Sequence, residues 1–113
     1  MPVSSAESRR EAVFAALADP TRSLVLKEVA TRGSATATQL AASLPVSRQA
    51  VLKHLRVLDE AGLVTFHRAG KEVRYEARLH QLRTVARWLD QIATQWEQRL
   101  ARLKAIAERS GSP

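Results

Sequence analysis

The stretch that most constrains this chain runs from Ser47 to Gly62, SRQAVLKHLRVLDEAG. Ser is a preferred helix N-cap, because its hydroxyl accepts a hydrogen bond from a free amide of the first turn. Gly is a preferred stop, because it adopts the left-handed conformation that ends a helix. Between them the residues separate into two faces at about 100° per residue. Val51, Leu55 and Leu58 form an apolar stripe bordered by Ala50 and Ala61. Arg48, Gln49, Leu52, Lys53, Arg56, Asp59 and Glu60 occupy the opposite arc, which is basic and amide-rich in its first two turns and acidic only in its last. Any fold for this chain must bury that stripe and leave that arc outward.

Upstream lies a series of helix starts and stops. Residues 1–8 read as a flexible N-terminal arm, followed by a domain over 9–109 and a tail over 110–113. Arg9 to Ala18 reads as a first helix with Val13, Phe14 and Leu17 on its apolar face, and Arg9 and Arg10 at a solvated end. Asp19-Pro20-Thr21 is a sharp start. Pro20 pushes Asp19 out of the α region and itself fits the first helical position, and the Asp19 carboxylate caps the free amides. This second helix runs to Arg32, with Leu24, Val25 and Val29 inward and Gly33 closing it. Ser34-Ala35 is a short link. Thr36-Ala37-Thr38-Gln39 is a capping box that opens a third helix, buried along Leu40, Ala41 and Leu44 and ended by Pro45. Pro45-Val46 turns the chain into Ser47. A short helix, a tight turn and a second amphipathic helix have the spacing of a helix-turn-helix. Arg, Lys and Gln early on its second helix suit hydrogen bonding to base edges. The plainer alternative is a charged face turned to water.

Downstream, Leu63 to Arg68 alternates weakly and carries Val64, Thr65 and Phe66. Ala69-Gly70-Lys71 is a hairpin turn. Glu72 to Ala77 returns with Val73 and Tyr75 on one face and Arg74 on the other. This is a two-stranded wing with Arg68, Lys71 and Arg74 at or near its tip. A lone hairpin is marginal in water, so it must rest on the helices. A last helix runs from about Leu79 towards Ala107. Leu82, Leu89, Trp96 and Leu103 recur every seventh residue, with Val85, Ile92 and Ile106 at the offset of three and Arg99 interrupting that second series. Such a heptad seam either folds over its own domain or pairs with another copy. The second is the better reading, because so long an apolar stripe needs a partner surface.

Composition narrows the function. The 113 residues make one small domain with a single modest core. The formal net charge is +7, from 18 basic and 11 acidic side chains, most of the basic ones Arg. That balance favours an anionic partner. There are no cysteines, which excludes disulfides and thiolate metal or redox sites. The N-terminus has no signal-peptide core and no apolar run is long enough to span a membrane, so a cytoplasmic protein without a membrane partner is expected. No Gly-rich phosphate loop and no Ser/His/acid arrangement points to an enzyme.

Three blocks, FAALADPTRSLVLKEV (Phe14 to Val29), QLAASLPVSRQAVLKHLRVLDEAGLV (Gln39 to Val64) and RAGKEVRYEA (Arg68 to Ala77), resemble in order and spacing the ArsR family of small winged-helix repressors. The resemblance implies a mostly α fold with a small β-hairpin wing, a winged helix-turn-helix dimerising through its terminal helices. It implies a homodimer paired by the first and last helices, which brings Phe14 together with Leu82, Val85, Leu89, Ile92, Trp96 and Leu103. Each recognition helix then enters a major groove while the wing follows the backbone, on an inverted-repeat operator with half-sites about one helical turn apart or a multiple of it. Repression at the protein's own promoter is the usual role. Arg48, Gln49 and Lys53 are the candidates for base edges. Ser47 caps the helix and offers its hydroxyl or amide to a phosphate. Thr36, Thr38 and Arg56 are phosphate candidates, as are Arg68, Lys71 and Arg74 of the wing. Leu52 departs from the family pattern, which often has a small polar residue there. It either touches a thymine methyl or packs beneath the wing.

The family's metal sensors use cysteines on the third helix or His and acid pairs on the last. Here Thr38 to Leu44 holds no thiol, and the last helix holds His80, Asp90 and Glu97 without a second His. No cofactor and no metal site is expected, and the effector is unknown. His54 reads as a hydrogen-bonded packing residue, His67 as a wing residue able to meet a phosphate, and Trp88 and Trp96 as core in preference to a ligand pocket. The alternative function is a basic helical dimer that binds protein, or nucleic acid without reading its sequence.

Overall fold

The structure, a computed structural model, describes Ser4 to Gly111. The chain divides into two compact units, one ending at Leu82 and the other beginning at Arg83. Of the expected arm and tail, residues 1–3 and 112–113 lie outside the described residues.

The first unit opens with α1 (Ser5–Leu17) and α2 (Pro20–Arg32). Helix α1 begins four residues earlier than the apolar pattern indicates. The Ser4 hydroxyl accepts from the Glu7 amide at 3.0 Å, and a cap on an exposed turn leaves no hydrophobic trace. The expected arm over 1–8 is therefore helical from Ser5 onward. In α2, Asp19 Oδ1 accepts from the amides of Thr21 and Arg22 at 2.9 and 3.1 Å. The buried side of α2 is Val25, Leu26 and Val29. Leu24 is 47% exposed, so Leu26 takes the inward place expected of it. In α1 the buried residues are Val13 and Ala16, while Phe14 remains 40% exposed.

The strand β1 (Ala35–Thr36) follows, then α3 (Ala37–Ser43) and α4 (Arg48–Glu60). The expected capping box is present: Gln39 N donates to Thr36 Oγ1 at 3.1 Å and Thr36 N to Gln39 Oε1 at 2.9 Å. Ser47 Oγ accepts from Ala50 N at 3.1 Å, which starts α4 at the expected residue. Val51, Leu55 and Leu58 are fully buried. Burying a Leu or Val side chain contributes about 1.5–3 kcal/mol, so this stripe anchors α4 on α2 and α3. Gly62, at φ 75°, takes the left-handed turn out of α4.

The wing is β2 (Val64–Ala69) and β3 (Glu72–Ala77), paired antiparallel with Phe66 opposite Tyr75 and Ala69 opposite Glu72. Gly70, at φ 65°, is the first of its two loop residues, the position a two-residue hairpin gives to Gly. The sheet has three strands in the order β1-β3-β2. Ala35, expected in a link, pairs with Tyr75, and Thr36 with Arg74. A two-residue strand is too short to show alternation in the sequence, and it forms only because β3 arrives beside it. This pairing supplies the support a lone hairpin lacks.

Helix α5 (His80–Gly111) is longer than expected at its C-terminal end, continuing past Ala107. Its part beyond Leu82 makes the second unit. There Leu89, Trp96, Leu100, Leu103 and Ile106 are about half exposed, Trp88 and Ile92 less so, and Val85 is buried within the single chain. The two Trp residues are therefore not closed core, contrary to the reading of aromatic residues at helical spacing as interior. The Arg99 guanidinium lies 5.1 Å from the Trp96 ring centroid, a cation–π distance.

Candidate nucleic-acid interface

Burial of Val51, Leu55 and Leu58 turns the opposite arc of α4 outward. Arg48, Gln49, Lys53 and Arg56 are exposed, and Leu52 is half-buried. The start of α3, the first turns of α4 and the wing border a groove of about 510 Å³. Five of the expected contact residues line it: Thr36, Thr38, Arg48, Leu52 and Lys71. On the other side of Leu52, Arg56, Asp59, Phe66 and Tyr75 border a second groove of about 340 Å³. Leu52 and Tyr75 line both grooves, which makes Leu52 the ridge between them. Arg68 is exposed on β2, and Ser47 is exposed at the head of α4. Of the two readings of Leu52, packing against the wing is the one its half-burial beside Tyr75 favours.

The hydrogen bonds sort the cations. Arg74 is half-buried with all three guanidinium nitrogens engaged. Nε donates to Ser34 Oγ at 2.8 Å, Nη2 to the Ser34 carbonyl at 3.2 Å, and Nη1 to Glu72 Oε2 at 2.8 Å. It clasps the segment before β1 to the wing, and its fork is occupied where Lys71 and Arg68 stand exposed. Neither Ser34 nor Glu72 stood out in the sequence. The spacing of Glu72 and Arg74, two apart on a strand and therefore on one face, was the only available signal. Arg48 Nε donates to Thr38 Oγ1 at 3.2 Å, joining two candidate residues across the helix-turn-helix. The Phe66 and Tyr75 rings, 5.9 Å apart between centroids, brace the wing face beside α4.

Away from this surface, Asp19 caps the start of α2. Its carboxyl is held below its ordinary value, chiefly by the hydrogen bond from the Arg22 amide. The Thr21 amide and the positive charges of His54 and Arg22 add to this, and desolvation opposes it. The Arg22 Nη1 donates to the carbonyls of Ala15 and Ala16 at 3.3 Å each, closing the end of α1. His54 is half-buried as expected, but its Nδ1 has no hydrogen-bond partner among the described residues. It packs without the bond the sequence reading gave it. Among the described residues no three His, Asp or Glu side chains gather as a metal site, and no helix is long and apolar enough to cross a membrane.

A three-helix core, a helix-turn-helix and a sheet-supported hairpin define a winged helix-turn-helix protein. Comparison with known proteins agrees. A helix-turn-helix domain family model matches residues 17–65. The chain is 44% identical over 68 residues to YuzN of Bacillus subtilis, described as an uncharacterized HTH-type transcriptional regulator, covering 55% of this chain and 74% of that one. It is 30% identical over 77 residues to the transcriptional repressor SdpR of the same organism, covering 68% and 84%. Among solved structures, an ArsR-like transcriptional regulator from a Rhodococcus species superposes with a TM-score of 0.81 at 44% identity, covering 89% of this chain and 94% of that one. The chain belongs to the ArsR family of winged helix-turn-helix transcriptional regulators, in the subgroup without the cysteine metal-sensing motif. It is a DNA-binding transcription regulator and not an enzyme.

Proposed function

We propose that the chain is a homodimeric repressor, acting at its own promoter, that reads an inverted-repeat operator with α4 in the major groove and the wing on the flanking backbone. The observation that carries this reading is the outward arc of α4. Arg48, Gln49 and Lys53 stand exposed in its first two turns, on a helix whose opposite stripe is fully buried. Arg48, Gln49 and Lys53 contact base edges. Ser47, Thr36, Thr38 and Arg56 contact phosphates beside them, and Arg68 and Lys71 contact phosphates from the wing. Arg74 serves the interface by holding the wing against Ser34, and Leu52 supports it from beneath. Phe14 on α1 and Leu82, Leu89, Ile92, Trp96 and Leu103 on α5 pair the two copies. The half-exposure of the last seam residues in the single chain supports this. Val85 is already buried in the single chain. Repression is the printed role of the relative SdpR.

The test is binding to the DNA upstream of the chain's own gene beside random duplex, at about 150 mM salt, where phosphate attraction alone is weakened. The expected preference is roughly a thousandfold or more, reduced by Arg48→Ala or Gln49→Ala by about 5- to 150-fold. Equal weak binding to both duplexes would instead indicate a basic module without sequence reading.

A further inference from the structure

We propose that Thr38 is a positioning residue for Arg48, holding its guanidinium so that the two terminal nitrogens form an end-on fork that reads a guanine. This rests on the reading of α4 as the helix that meets base edges.

The bond between Arg48 Nε and Thr38 Oγ1 joins the first residue of α4 to the first turn of α3. Its two ends differ in freedom. Thr38 sits in the first turn of a helix anchored by the reciprocal cap between Thr36 and Gln39 and by the pairing of Thr36 with Arg74 on β3, and its β-branched side chain has few χ1 rotamers. Arg48 stands exposed on a long side chain with many rotamers. The bond therefore transfers the rigidity of α3 to a group that would otherwise sample many positions.

Which nitrogen is held matters chemically. A guanidinium has five N–H donors, one on Nε and four on the terminal nitrogens. Guanine presents O6 and N7 side by side in the major groove, and two N–H groups of one Arg match them. An Arg can approach side-on with Nε and one terminal nitrogen, or end-on with both terminal nitrogens. With Nε engaged at Thr38, the end-on fork is the pair left for the base. Among the described residues the terminal nitrogens of Arg48 carry no hydrogen bond, whereas Arg22 and Arg74 each use terminal nitrogens on backbone carbonyls, and Arg74 also on Glu72. The Thr38 hydroxyl accepts from Arg48, so its own proton remains available to a phosphate oxygen.

The experiment starts from duplexes that the parent protein enriches from a random pool, in which each guanine is replaced in turn by 7-deazaguanine to remove the N7 acceptor. One position is expected to weaken the parent protein while leaving Arg48→Ala unchanged, which marks the guanine under Arg48. At that position Thr38→Val is expected to lose roughly two- to tenfold of the discrimination, the penalty of ordering one rotamer-rich side chain at binding. Thr38→Ser restores it, while the phosphate contact that Thr38→Val also loses weakens binding to all duplexes alike and so cancels from the discrimination ratio. Thr38→Val with full discrimination at the Arg48 position overturns the proposal and leaves the reading of α4 intact. So does loss that Thr38→Ser fails to restore. Failure of the parent protein to enrich any sequence, or an Arg48→Ala variant that discriminates every position as the parent does, overturns both.

Discussion

At the scale of single residues, exposure and hydrogen bonding divide the basic side chains into those available to DNA and those holding the protein together. Lys71 and Arg74 lie three residues apart on the same wing, yet one is exposed and the other is tied at every nitrogen. Replacing Lys71 with Ala is expected to weaken binding to all duplexes alike and to reduce the slope of log affinity against log salt by about one. Replacing Arg74 with Ala is expected to leave that slope close to the parent value and to destabilise the fold by about 1 kcal/mol, the scale of a partly exposed charge-assisted hydrogen bond. Faster amide exchange at Ala35 and Thr36 would accompany it. Salt titrations of binding and hydrogen-exchange rates separate the two outcomes, and an equal drop in slope for both variants would return Arg74 to the phosphate contacts.

At the scale of elements, caps decide where the helices begin, and the cap of α2 also titrates. The Asp19 carboxyl is depressed below 3.8 by the amides it accepts from and by nearby positive charge. A folded value below the unfolded one means that the charged form stabilises the fold. That stabilisation is fully present above the unfolded value and is lost as pH falls through the lower folded value. Asp19→Asn keeps an accepting oxygen but has nothing to titrate. Thermal melts are expected to show the parent more stable than the variant at neutral pH, with the gap closing as the pH falls below about 4. A gap that persists undiminished at the lowest pH would assign the effect to shape and not to charge. The wing makes the complementary case. Its two strands and its Gly70 turn were readable, because alternation and turn chemistry are local. The third strand was not, since Ala35 and Thr36 become a strand only when Arg74 and Tyr75 come alongside.

At the scale of the whole molecule, the unit that begins at Arg83 carries an apolar seam that the single chain leaves half exposed at Leu89, Trp96, Leu103 and Ile106. If that seam pairs two copies, Trp96→Glu together with Leu103→Glu is expected to give monomers by sedimentation. Operator affinity should fall by a factor of about a hundred or more, since the second half-site is no longer held at high effective concentration. The residues of the other unit should keep their helical signal. A double variant that sediments as the parent does would place the dimer contacts elsewhere.

The chain's own order of residues determined the helices, their caps, the buried stripe of α4 and the outward arc opposite it. Each of these depends on spacing along one element, where 3.6-residue periodicity, a capping side chain or a Gly at positive φ acts over a few neighbours. Tertiary structure decided what no local pattern encodes. It chose Leu26 over Leu24 for the core, paired β1 with β3, joined Thr38 to Arg48 across the turn, and engaged Arg74 with Ser34. The physical reason is common to all four: a side chain's partner is set by which distant element reaches it. One Arg therefore stands exposed, as Arg68 does, while another, Arg74, is hydrogen-bonded at all three nitrogens.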